Sequence, residues 1–201
     1  MEILAVWHAD GQEPDMARFP FFFIGTGLLC AALIGVASAP LFQPTGVSVE
    51  GRGTETGRIV DGTQLLNLVP TKGFPVALPP GSFRELEGVR MTAATALTPE
   101  TTHLKTVRLN LGPVLAQAAS QAPRQVTVQV RATPRFPAST MAVGWVVNGQ
   151  VTWVKRPVTG NFSKVSFPLP QTSSPPTALA IWPSVQGEHG GIEVKSILVS
   201  N

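Results

Sequence analysis

From about residue 84 onward, apolar and polar positions alternate in short runs separated by Gly, Pro, Asn and Ser, the period-two pattern of strands with one buried face. The run VRMTA at 89–93 alternates, and HLKTVRLNLG follows with Leu104, Val107, Leu109 and Leu111 as inward candidates after one irregularity. QVTVQVRATPRF sets Val126, Val128 and Val130 on one face and Thr127, Gln129 and Arg131 on the other, which predicts a half-buried antiparallel strand. MAVGWVV and QVTWVKR flank Asn148-Gly149, and a type I′ hairpin is predicted because both turn residues tolerate positive φ. SKVSFPLP, ALAIWPSV and GIEVKSILVS complete seven or eight strands, and VLAQAASQAPR is the one helix-like insert. Short strands at such regular spacing predict a mainly β domain of two antiparallel sheets packed face to face.

The N-terminal pattern has no such alternation. Phe21 to Phe42 reads FFFIGTGLLCAALIGVASAPLF, about twenty residues without a charge. A helix rising 1.5 Å per residue crosses a hydrocarbon core of about 30 Å with about that length. A transmembrane α-helix over 19–43 is therefore predicted, preceded by a tail over 1–18. A cleaved signal peptide fits less well. The tail carries Glu2, Asp10, Glu13 and Asp15 against Arg18, the wrong sign for an n-region, and Pro40 follows the cleavage-like Ala37-Ser38-Ala39. Within the span Gly27, Ala31, Gly35 and Ala39 lay small side chains along one helical stripe, the kind of surface on which helices dock in lipid. Cys30 is the one cysteine, so no internal disulfide forms. The preferred topology leaves the tail in the cytoplasm and exports the rest. In a Gram-negative cell this means an inner-membrane protein with a periplasmic head.

Between span and strands, residues 44–81 are rich in Gly, Thr and Pro and read as a neck, with a short hairpin allowed around Gly51–Gly57. Nineteen Gly, nineteen Pro and 13% charged residues in 201 fit many turns and few long helices. Of 15 basic and 12 acidic residues, the first 43 positions hold one and four, leaving 14 and 8 for the rest. That excess is dispersed, with no basic stripe or recognised motif, so nucleic acid is not a predicted partner, whereas an acidic surface or anionic lipid suits the charge. No GxSxG, HExxH, Walker A, Rossmann glycine pattern or CxxC occurs. Of the aspartates only Asp61 lies beyond the span, which leaves little for a carboxylate dyad. A non-enzyme without cofactor or metal is expected.

The strand QVTVQVRA, the hairpin MAVGWVVNGQVTWVKRPVTG, the strand SKVSFPLP and the ending LAIWPSVQGEHGGIEVKSILVS together resemble the galactose-binding-like jelly rolls, which include carbohydrate-binding modules. The resemblance covers about 82–201. It implies a two-sheet antiparallel jelly-roll sandwich, with any ligand site on loops at one end or on a sheet face bearing aromatics. The absence of Tyr is unusual for a sugar binder. Trp145 and Trp153, on the two arms of the hairpin, either fill the core or offer one exposed platform. Trp182, before Pro183 at the mouth of the last loop, is the best surface candidate, and Glu188 with His189 in QGEHGG forms a polar pair for a ligand or partner, or else a solvated turn. His103 is isolated, and a metal site combining it with that pair has no spacing to support it. Two functions follow. The first is an accessory subunit that docks on other membrane protein subunits of a larger complex, with respiratory and photosynthetic electron-transfer complexes as example hosts. The second is an envelope-tethered carbohydrate-binding module.

Overall fold

Val126, Val128 and Val130 are fully buried while Gln125 near the start of the same strand is exposed and Thr127, Gln129 and Arg131 are half-buried, so the period-two pattern sorts the side chains as the sequence implies. The computed structural model describes residues 46–71, 73–79, 88–93, 106–120, 124–186 and 189–200, all within the compact unit Phe42–Asn201. In chain order the strands are β1 (Arg52–Thr54), β2 (Gly57–Asp61), β3 (Leu68–Val69), β4 (Val76–Ala77), β5 (Val89–Thr92), β6 (Val107–Asn110), β7 (Arg124–Ala132), β8 (Thr140–Val147), β9 (Gln150–Val151), β10 (Val154–Pro157), β11 (Ser163–Leu169), β12 (Ala178–Trp182) and β13 (Gly191–Ser200). A 3-10 turn spans Gly62–Asn67, and the one α-helix among the described residues, α1, spans Pro113–Ser120.

The strands form two antiparallel sheets. In the first, β13 is central: β7 flanks it on one side with β11 beyond, and on the other side β2 pairs with its C-terminal half and β5 with its N-terminal half. The second runs β10-β8-β12-β6-β3, with β9 continuing beside β8. Val128 and Val130 from the first sheet share one apolar core with Val143, Trp145, Leu179 and Ile181 from the second. The two sheets differ on their outer faces. The first is half-wet, with Thr127, Gln129, Lys164 and Ser166 outward. The second has β12 and the middle of β8 buried throughout, and Val146, Ala178 and Ala180 form a small cluster packed by Val151 and Trp153.

The last strand keeps both halves of its apolar set inward by a bulge. Its register against β7 slips between Val194 and Ser196, so Ile192 and Val194 before the slip and Ile197 and Val199 after it are all buried. Without the extra residue, Lys195, one half of IEVKSILV would turn its apolar side chains to water.

The segment read as a neck, 44–81, belongs to the sandwich where it is described. The hairpin allowed around Gly51–Gly57 is β1–β2, and β2 pairs with β13, β3 with β6 and β4 with β5. Val49, Val60, Leu65, Leu68 and Phe74 lie in the core. A Gly- and Pro-rich composition marks turns, but scattered apolar residues between those turns supply enough burial to fold. Glu50 reaches across to α1, where its Oε2 accepts from the free N–H groups of Val114 and Leu115 at 3.0 and 3.2 Å, an acidic cap on the positive helix end. The insert VLAQAASQAPR is helical to Ser120. Among the described residues no helix is long and apolar enough to cross a membrane. The predicted span, with Gly27, Ala31, Gly35 and Ala39, lies outside the described residues, as does Leu104.

Candidate functional site

Asn148 and Gly149 carry φ of 50° and 76°, so the predicted hairpin turn is made with both central residues left-handed, and it matches the strand twist. β9 and β10 hold one register against β8, Val151 opposite Val146 and Val154 opposite Val143, while Thr152 and Trp153 between them fall outside the strands. Gly144 makes this approach possible. A Cβ there would lie 2.4 Å from the Thr152 carbonyl oxygen, closer than any real side chain sits.

Beside the hairpin opens a cleft of about 430 Å³, within the size range of small-molecule sites. The hairpin contributes Trp145, Val147, Asn148, Gln150 and Thr152, and the chain leaving β11 contributes Pro170, Gln171, Thr172 and Ser173. None of these residues is charged. Amides and hydroxyls that both donate and accept line it together with an indole. Two of them also hold a buried polar atom with no hydrogen-bond partner, Trp145 Nε1 and Thr172 Oγ1. Each such group raises the energy of the fold by about 1–3 kcal/mol.

The opposite end of the sandwich is reached along β8, whose eight residues span roughly 25 Å. There the loop between β7 and β8 carries Phe136 at φ 59°, left-handed backbone that a bulky residue rarely adopts and that is strained by about 1–3 kcal/mol. The strain is held by a dense frame. Thr133 Oγ1 lies 2.8 and 3.0 Å from the Arg135 and Phe136 carbonyl oxygens, Gly191 N–H donates to the Phe136 carbonyl, and Thr133 and Ala138 N–H donate to that of Gly191. Phe136 is nevertheless 57% exposed. The Arg135 guanidinium lies 5.3 Å from its ring centroid and the His189 ring 6.3 Å away. His189 is itself left-handed, at φ 64°, and its N–H donates to the Ala93 carbonyl at 2.6 Å.

Next to this end, Glu193 lies on the outer face of β13, 2% exposed. Arg90 reaches its Oε1 at 2.5 Å and Arg131 its Oε2 at 2.6 Å, and Arg131 also stacks 4.5 Å above Phe162. Burial, the largest single influence, pushes the Glu193 carboxyl up. The hydrogen bonds and positive charges of Arg90 and Arg131 together outweigh it and hold the carboxyl below the usual carboxylate range.

The sequence candidates fall as follows. Trp182 is not a surface residue. It is fully buried, its ring wedged edge-on between Phe74 at 4.8 Å and Trp153 at 5.9 Å, because the end of β12 is covered by the loop that carries Phe74. Trp145 is in the core and Trp153 half-buried against it. His189 is exposed beside Phe136. Glu188 and His103 lie outside the described residues, and among the described ones no cluster of His, Cys, Asp and Glu could hold a metal ion. Sequence reasoning missed Phe136 by reading it as the tail of the β7 strand. The signal was present in Pro134 and Pro137, which end a strand and stiffen the residues between them.

No family model and no curated protein matches the sequence. Among solved structures, the protein described as BiXyn10A CBM1 aligns at 8% identity and a TM-score of 0.46 over 74% of this chain and 99% of its own. The CBM22-1 xylan-binding domain from Paenibacillus barcinonensis Xyn10C aligns at 10% identity and 0.46 over 74% and 97%. An arabinose-bound MgGH51 α-L-arabinofuranosidase aligns at 11% and 0.46 over 81% of this chain and 31% of its own. All three scores fall short of a shared-fold match, so the two ends of the sandwich stand on their own geometry.

Proposed function

We propose that this chain is a non-catalytic binding module for an uncharged glycan, held at a membrane by Phe21–Phe42. The cleft beside the Asn148-Gly149 hairpin carries the reading. Its lining is uncharged throughout, and it pairs an indole with amides and hydroxyls, groups that can both give and receive hydrogen bonds. A sugar hydroxyl is likewise donor and acceptor at once. A charged ligand in this cleft would lose its hydration with no counter-charge in the lining.

The experiment is titration of the full chain in detergent with a panel of neutral oligosaccharides, starting with xylohexaose and cellohexaose, beside the Gln150→Ala/Gln171→Ala double variant. We expect binding by the unaltered chain and a loss of about tenfold or more in affinity in the variant, from two hydrogen bonds of about 1 kcal/mol each, with the melting temperature unchanged. Absence of binding across the panel sinks the reading.

The alternative of an accessory subunit keeps the support of the Gly27, Ala31, Gly35 and Ala39 stripe. It loses that of a free neck, since the described residues of 44–81 pair within the sandwich. Migration of the detergent-extracted chain as a lone species would remove it.

A further inference from the structure

We propose that Phe136, Arg135 and His189 form a second binding platform, at the far end of the sandwich from the cleft, which takes an anionic sugar residue bearing a carboxylate. The proposal goes beyond the cleft reading and rests on separate residues.

Two features of Phe136 do nothing for the fold. Its left-handed backbone is strained, and its exposure leaves the ring's hydrophobic gain unrealised. The backbone is fixed in place by the bonds from Thr133 and Gly191 to the Phe136 carbonyl and by the flanking Pro134 and Pro137, so the direction in which the ring leaves the chain is preset and little backbone freedom is lost when something settles on it. Beside it stands a guanidinium without an acidic partner: among the described residues the ion pairs are Arg52–Asp61, Arg90–Glu193 and Arg131–Glu193, and Arg135 is in none.

An aromatic ring accepts the C–H face of a pyranose, a free guanidinium grips a carboxylate through paired N–H donors, and an exposed imidazole serves a hydroxyl. A uronate residue presents all three features on one ring. A phosphorylated peptide fits less well, because such partners are read by clusters of arginines. The excess of basic over acidic residues beyond position 43, 14 against 8, adds a general attraction for an anionic polymer.

The test titrates the full chain at physiological salt with a tetragalacturonate, a sulfated tetrasaccharide and xylotetraose, in the unaltered protein and in Arg135→Gln, Phe136→Ala, Phe136→Gly and Gln171→Ala. Tetragalacturonate binding should weaken about tenfold or more in Arg135→Gln, the loss of a charged hydrogen-bonded contact. It should also weaken in both Phe136 variants, and it should survive Gln171→Ala. Phe136→Gly should at the same time raise the melting temperature, since glycine adopts the left-handed backbone without strain, which separates loss of the platform from loss of the fold. Three results overturn the proposal: no tetragalacturonate binding, binding indifferent to Arg135 and Phe136, or equal binding of the sulfated sugar independent of Phe136, which would be attraction by charge alone. A chain that binds tetragalacturonate in this way but no neutral sugar would retain the platform and lose the cleft reading.

Discussion

The hairpin end and the loop end of the sandwich hang on the same strand, β8, and leave different things unsatisfied. At the hairpin end the lining is uncharged, and Trp145 Nε1 and Thr172 Oγ1 are buried without partners. At the loop end the backbone around Thr133 and Gly191 is tied by hydrogen bonds, Trp182 Nε1 is likewise buried without a partner, and a strained, exposed ring stands beside the Arg135 guanidinium, which has no acidic partner among the described residues. In the cleft a ligand is met by the exposed Asn148, Gln150, Gln171 and Ser173 side chains, while the two unpartnered atoms stay buried. A rigid platform gains from a ligand that needs no rearrangement to be met. One fold thus carries two chemically opposite surfaces, because loops at the strand ends are free to differ while the strands between them share one core.

The largest test of this independence is Gly144→Ala. The added methyl meets the backbone of Thr152, which cannot rotate away, and a loss of about 3 kcal/mol is expected in denaturant unfolding. In hydrogen exchange the loss of protection should begin at the hairpin, with the amides of Thr133 and Ala138 affected only through global unfolding. Equal local loss at both ends would show that they open together.

Next comes Glu193→Gln, which weakens the row beside the loop end. With its arginines about a third exposed, solvent screening reduces the expected loss to about 1–2 kcal/mol at neutral pH. The carboxyl's folded value lies below its ordinary 4.5, so its contribution is complete above that value and disappears as pH falls through the folded one. Acid should therefore destabilise the unaltered chain more steeply than the variant in that window, and parallel pH profiles would remove Glu193 as an acid-sensitive support of the loop end.

The smallest effect is expected from Thr172→Val. Replacing an unpartnered buried hydroxyl by a methyl of the same shape should stabilise by up to about 1 kcal/mol. A loss of that size, measured by thermal unfolding, would mean that the hydroxyl is satisfied in solution and would erase the contrast drawn at the hairpin end.

Much of the fold was legible in the sequence and little of the site. Val126, Val128 and Val130 announced β7 by spacing, and Asn148-Gly149 announced its turn by residue type, since both signals are local. The sheet partners of β2, β3 and β4 were not legible: β3 and β2 pair with positions about 40 and about 140 residues away, β4 pairs with β5 about 14 residues on across a Pro-rich stretch, and each pairing depends on which edges remain open. Trp182 misled for a related reason: a tryptophan before a proline at a strand end reads as a loop residue until a distant Phe74 is found against it. His189 was named for its glycine-rich loop, yet its neighbour Phe136 comes from a loop more than fifty residues earlier.

The sequence by itself determined the mainly β character, the hairpin, the single helix-like insert and the uncharged stretch sized for lipid, all of which are set by residues adjacent in the chain. Only the tertiary structure decided that the Gly- and Pro-rich segment belongs to the sheets, that the last strand bulges at Lys195 to keep both halves inward, and that an uncharged cleft and a cationic aromatic platform stand at opposite ends. Those outcomes depend on the packing of surfaces brought together across the whole domain, where burial and strain are settled by neighbours that local spacing does not specify.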